Sequence, residues 1–214
     1  MKSLFLFFTQ SEMGAPDYLS RTGEQGAETL TETIISFLSE TLKINIQEKY
    51  DIRAKSLNED VIWRSFKEQD SFEKAISASL KLFPDIIMVS GNEDRTFKTC
   101  ETLAKGLALP ICVDNRFDKH TLSNPQIGTL KDALERLSQF FSNENNPQIV
   151  LVGTSLNSIL EWIKSLNLPE YSDNFEKILN LSSKNDSIPT VLIAGFSKEN
   201  NNVEWIFDLP REEN

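Results

Sequence analysis

Leu4-Phe5-Leu6-Phe7-Phe8-Thr9-Gln10-Ser11-Glu12 is an unbroken apolar run that stops at a short polar turn. A continuous apolar run of this length fits a strand covered on both faces, the situation of a central strand in a parallel sheet. In such sheets ligands bind beyond the carboxyl ends of the strands. Thr9, Gln10 and Ser11, which close this run, are therefore the first residues to consider as part of a site.

Similar runs recur down the chain at Ser3–Phe8, Asp85–Ser90, Pro110–Val113, Gln148–Gly153 and Pro189–Phe196, with an alternating run at Val203–Leu209. Helical patterns separate them. The segment 22–42 sets Ala27, Leu30, Ile34, Ile35, Leu38 and Leu42 on one stripe, with Thr22 as the expected N-cap and acids in the first turn. The segments 71–83, 93–107, 129–141 and 155–166 repeat that periodicity. Strands alternating with helices predict a three-layer α/β/α domain with a mostly parallel central sheet. Residues 1–214 read as a single domain, with an insertion at about 43–82 on one edge. The Asn- and Ser-rich stretches 142–147, 182–187 and 197–202 read as solvated turns.

The formal net charge of −10 and a pI near 4.7 argue against a nucleic-acid partner, which would be held by clustered Lys and Arg. No apolar run approaches the roughly 18 residues of a membrane span, and the N-terminal run is followed by no small-residue cleavage site. A soluble, cytoplasmic protein is the expectation. Cys100 and Cys112 sit in apolar surroundings and read as buried, reduced thiols rather than a disulfide. His120 is the single histidine, and no Cys/His spacing suggests a metal site or a cofactor.

Four segments taken in order resemble the histidine phosphatase superfamily, the phosphoglycerate mutase-like fold, and in size and C-terminal layout the small bacterial phosphohistidine phosphatases. "FLFFTQSE" (5–12) stands where that family has an apolar strand followed by Arg-His-Gly-Glu. "LSRTGEQGAETL" (19–30) is similar to its Leu-Thr-x-x-Gly-x-x-Gln-Ala helix start. Residues 85–114 are similar to its second strand, its Arg-x-x-x-Thr helix and the strand that follows, and "QIVLVGTSLNSIL" (148–160) to a strand followed by Ser-His-Gly. The resemblance implies a phosphoglycerate mutase-like topology in which the loops after Phe8, Ser90 and Gly153 converge.

At the family's functional positions this chain departs. The first Arg and the nucleophilic His read Thr9 and Gln10, the Gly reads Ser11, and the second His reads Thr154. Arg95, with Thr99 four residues on, is retained. A phosphohistidine route requires an imidazole nucleophile and cations around the phosphoryl oxygens, and an amide or a hydroxyl supplies neither. The resemblance with these replacements implies no catalytic residue of the family type, and a protein that acts by binding a small anion, a neutral ligand or a partner protein. Thr9, Gln10, Ser11, Arg95, Thr154 and Ser155 are the candidate ligand-binding residues.

Each has a plainer explanation. Arg95 either clasps an anion or pairs with Glu12, Glu93 or Asp94, and Thr154 and Ser155 either offer N–H groups to an anion or simply cap a helix. Thr9 and Gln10 either bond a neutral ligand or close their own loop. Two further readings stay open: a phosphatase or phosphotransfer enzyme with a rebuilt site, His120 being its one imidazole, and an unrelated three-layer α/β domain.

Overall fold

The computed structural model describes residues 3–9, 12–15, 18–45, 72–118, 129–143, 149–166, 191–196 and 203–208. Strand β1 (Ser3–Phe8) lies inside a six-stranded sheet between β6 (Ile149–Gly153), parallel to it, and β7 (Val191–Phe196), antiparallel. The sheet continues past β6 through β4 (Ile86–Ser90) and β5 (Ile111–Val113), both parallel, and past β7 to the antiparallel β8 (Val203–Asp208). A separate two-stranded ribbon pairs β2 (Met13–Ala15) with β3 (Tyr18–Leu19). The sheet is thus mostly parallel, as the apolar runs predict, with an antiparallel extension on the β7 side.

The central position of β1 explains its composition. Phe5, Leu6, Phe7 and Phe8 are each buried, and their side chains alternate between two cores. Phe5 and Phe7 join Ile87, Val89, Val150 and Val152 on one face. Leu6 and Phe8 join Met88, Ile149 and Leu151 on the other. The first face is covered by α2 (Phe72–Leu82), α4 (Leu130–Asn143) and α5 (Leu156–Ser165), through residues such as Ile76, Leu134 and Trp162. The second is covered by α1 (Arg21–Ser36) and α3 (Asp94–Leu107), through Leu30, Ile34, Leu103 and Leu107. Full burial of each such side chain contributes roughly 1.5–3 kcal/mol. With helices on both faces, no strand of the parallel part has a polar side, which is why its strands show no alternation.

Helix α1 begins one turn-fraction earlier than its sequence suggests. Ser20, not Thr22, is the N-cap: its Oγ accepts the Gly23 N–H at 2.9 Å. Ser20 is held in place by Glu12, whose carbonyl accepts the Ser20 N–H at 3.0 Å and whose carboxylate accepts the Ser20 hydroxyl at 2.9 Å. Gly23 makes this possible, since a Cβ there would stand 1.9 Å from the Glu12 carbonyl oxygen. Thr22 is exposed on the first turn. At its other end α1 widens into a π-helical turn, Phe37–Thr41.

Cys100 belongs to one core and Cys112 to the other, so the sheet separates the two thiols; both are buried and free. Of the range 43–82, residues 46–71 lie outside the described residues, and α2 at its end packs Ala75 and Ile76 into the core. Among the described residues no helix is long and apolar enough to cross a membrane.

Candidate functional site

The register of the sheet levels three strand ends. Phe8 pairs with Gly153, and Gly153 pairs with Ser90, so β1, β6 and β4 finish side by side. The Thr154 N–H donates to the Phe8 carbonyl at 3.1 Å and the Gly91 N–H to the Gly153 carbonyl at 3.3 Å, carrying the alignment one residue further. Thr9, Thr154 and Gly91 therefore stand along one edge. This is the convergence of the loops after Phe8, Ser90 and Gly153 that the resemblance implies.

Gly153 is fixed by packing. A Cβ on it would stand 2.2 Å from the Cys100 sulfur and 3.1 Å from the Phe8 ring. The Cys100 thiol donates to the Ser90 hydroxyl at 3.2 Å, which in turn donates to the Gly91 carbonyl at 2.8 Å. Burial pushes the Cys100 thiol up to about 12, the Ser90 hydroxyl pulling weakly the other way. Burial likewise raises Cys112 to about 12. Burial thus keeps both sulfurs in the thiol form near neutral pH.

Thr154 is fully buried, and its hydroxyl donates to the carbonyl of Phe117. Ser155, also buried, is the N-cap of α5: its Oγ accepts the Ser158 N–H at 3.1 Å and meets the Ser158 hydroxyl at 2.8 Å. Ser158 passes the chain on by donating to the carbonyl of Asp118 at 3.2 Å. The side chains of Thr154 and Ser155 are thus engaged within the fold. Thr9 is nearly buried at the end of β1. Arg95 sits half-exposed in the first turn of α3, and its carbonyl accepts the Thr99 hydroxyl at 2.9 Å. The Arg-x-x-x-Thr spacing is thereby accounted for as a bond from residue i to i−4 along one helix face. Gln10, Ser11 and His120 lie outside the described residues.

Sequence reasoning missed Asp118. A one-turn 3₁₀ helix, Asn115–Phe117, follows β5 and returns the chain toward the strand ends. There the Asp118 carboxylate accepts the N–H of Glu93 at 2.6 Å and also that of Asn92. It lies directly on Gly91, where a Cβ would stand 2.2 Å from its Oδ1. Glu93 is the N-cap position of α3 and makes no cap bond with its own side chain, so Asp118 supplies the acceptor from 25 residues away. Burial pushes the Asp118 carboxyl above the ordinary carboxylate range, and the nearby Glu93 and Asp114 charges push the same way, against its backbone N–H donors. The only local signal for it is an acid just after the Asn115–Phe117 turn, and nothing in that signal says which distant backbone it meets.

Arg116, two residues earlier, is committed elsewhere: its guanidinium forms a bidentate pair with Asp114 and lies 5.7 Å from the Phe72 ring centroid. Among the described residues no cluster of three His, Cys, Asp or Glu side chains is placed to hold a metal ion.

No family model matches the sequence, and no curated protein does. Among solved structures, the chain is similar to a phosphoglycerate mutase from Plasmodium falciparum, with a TM-score of 0.46 at 10% identity, over 96% of this chain and 89% of that one. It is similar to a mycobacterial hydrolase, named hydrolase 1, with a TM-score of 0.48 at 10% identity over 96% and 98% of the two chains. A second, mycobacterial hydrolase 2, gives 0.40 at 10% identity over 97% and 88%. Likenesses at this level transfer no residue and no role to this chain.

Proposed function

We propose that this chain is a catalytically inactive, phosphoglycerate mutase-like relative of the histidine phosphatases that acts by binding at the carboxyl edge of its sheet. The observation that carries the reading is at the ends of β1 and β6. Both positions are threonine, and the Thr154 hydroxyl is buried and bonded to the Phe117 carbonyl. An imidazole belongs at one of these places in the family that the four sequence segments resemble. Here the place is filled by a side chain that ties a turn to the sheet.

The energetic consequence is large. Removing a nucleophile from a preorganised site typically lowers turnover by about 10⁶. Each missing cation about 4 Å from a phosphoryl charge forgoes roughly 4 kcal/mol at an effective dielectric near 20, before desolvation. What remains is Arg95, since the Thr154 N–H is taken by the Phe8 carbonyl and the Asn92 and Glu93 N–H groups by Asp118, and one cation holds an anion loosely. A dissociation constant for inorganic phosphate in the millimolar range or weaker, about −4 kcal/mol, follows.

The rival reading, an enzyme with a rebuilt site, has one observation in its favour. Asp118 is a half-buried carboxyl with a raised proton affinity at the same edge, the character of a general acid. Among the described residues at that edge it stands with no imidazole and no thiolate, and the Thr154 and Ser155 hydroxyls are bonded within the fold.

Calorimetric titration with inorganic phosphate at low salt tests the proposal. Binding near or above 1 mM, weakened by Arg95→Ala, is the expected result. Micromolar binding abolished by Arg95→Ala would contradict it and mark a dedicated anion site.

A further inference from the structure

We infer that Asp118 is a positioning residue for Arg95: by capping α3 from the turn after β5, its carboxylate sets where Arg95 stands at the carboxyl edge of the sheet, and with it the anion affinity of that edge. The inference rests on the reading of Arg95 as the cation of that edge.

The placement of Arg95 is decided in residues 91–93, which join β4 to α3. The core fixes the helix axis, because Cys100, Leu103, Ala104 and Leu107 all pack into it. The start of the helix is held separately. The Gly91 N–H donates to the Gly153 carbonyl at the end of β6, at 3.3 Å. The Glu93 side chain makes no cap bond, and the N–H groups of Asn92 and Glu93 go to the Asp118 carboxylate, the latter at 2.6 Å. An acceptor at this place satisfies N–H groups that the helix itself leaves without a partner, and a helix that loses it frays over its first turn. Arg95 lies in that turn, two residues past Glu93.

The carboxylate has a firm mount. The Asp114 N–H donates to the Ser90 carbonyl at 3.0 Å, and the Ser158 hydroxyl to the Asp118 carbonyl at 3.2 Å. The Phe117 ring between them is buried in the core on the face of the sheet opposite α3, so the cap of α3 is rooted in the other layer. Gly91 leaves the room it needs, since a Cβ there would stand 2.2 Å from the Asp118 Oδ1. A group held by packing and by bonds to its own backbone fixes what it touches to the precision that a binding geometry demands. Its charge acts the other way, because a carboxylate at the same edge repels an anion. The two effects separate by substitution. Asp118→Asn removes the charge and keeps an acceptor oxygen, Asp118→Ala removes both, and Asp118→Glu keeps the charge on a longer arm.

The test is titration of the full chain with inorganic phosphate at pH 7 and low salt, followed by NMR at the Thr9 amide and, where it is present, the Arg95 Nε–H. Asp118→Asn should bind at least as tightly as the wild type, and Asp118→Ala several-fold more weakly than Asp118→Asn. In an Arg95→Ala background the same two variants should bind alike. Equal affinity of the two variants with Arg95 in place, or a difference that survives Arg95→Ala, overturns the inference. If Asp118→Ala does not fold, Asp118→Glu replaces it: weaker binding than the wild type at equal charge supports the positioning role, and equal binding overturns it. If phosphate moves no resonance in the wild type or in Asp118→Asn, the anion-binding reading fails and the Arg95 Nε–H decides the rest. A shift of that resonance in Asp118→Ala, or in Asp118→Glu if it stands in, that Asp118→Asn lacks keeps the positioning role, and the same resonance in every variant overturns it as well.

Discussion

Thr154 ties the end of β6 to the Phe117 turn, and its hydroxyl gives that tie a measurable weight. Thr154→Val keeps the shape but leaves the Phe117 carbonyl without this donor, so it should lower the unfolding free energy by about 1–3 kcal/mol in urea titrations, while Thr154→Ser should retain most of it. Gly153 allows less. Any side chain there meets the Cys100 sulfur, so Gly153→Ala should destabilise by about 1–3 kcal/mol, with part of the loss recovered in Gly153→Ala/Cys100→Ala. Asp118 has a folded-state proton affinity above its unfolded one. Its stabilising proton is present below the ordinary carboxylate range and is lost as pH rises through the raised folded value. Wild type should therefore gain stability relative to Asp118→Asn as the pH falls from 7 toward 4, measured by urea midpoints at each pH. The opposite slope would mean that the Asn92 and Glu93 donors outweigh burial. Of these residues the sequence exposed Thr154 through its place after an apolar run. It hid Asp118, because a carboxylate that caps a helix 25 residues away leaves no periodic trace.

At the level of elements, apolar runs and helical stripes located every strand of the described sheet to within two residues at either end, since each strand's burial is written in its own composition. The start of α1 was the exception. Thr22 has the right chemistry for a cap, but Ser20 is chosen by a tertiary contact: Glu12 reaches it from before the β2–β3 ribbon, and only the absence of a side chain at Gly23 lets the Glu12 carbonyl approach. Ser20→Ala should accordingly lower stability by about 1 kcal/mol, with Thr22→Ala near neutral, in thermal or urea unfolding. A larger loss at Thr22 would restore it as the cap. The parallel direction of β1, β6, β4 and β5 followed from alternation with helices. The antiparallel direction of β7 and β8 had no signal in their residues alone, because strand direction depends on the connection and not on side-chain pattern.

The described residues build a six-stranded sheet and a small ribbon, and the sheet's carboxyl edge is bonded to its own polar groups, Thr154 to Phe117, Ser158 to Asp118, and Asp118 to the start of α3. The two cores lie on opposite faces of that sheet and each contains one cysteine, so both thiols should resist a thiol reagent in native buffer and react together on unfolding. The topology was legible because four separated segments agreed on it, whereas the state of the edge depended on contacts between them. The proposal is that of a phosphatase relative without its catalytic charges, and activity is its direct measure. Hydrolysis of p-nitrophenyl phosphate and of a phosphohistidine peptide by the purified protein between pH 5 and 8 should equal that of buffer alone. Turnover above about 0.1 per second, within the ordinary enzyme range, that survives His120→Ala and is lost in Arg95→Ala would contradict this and show that the edge is a rebuilt active site.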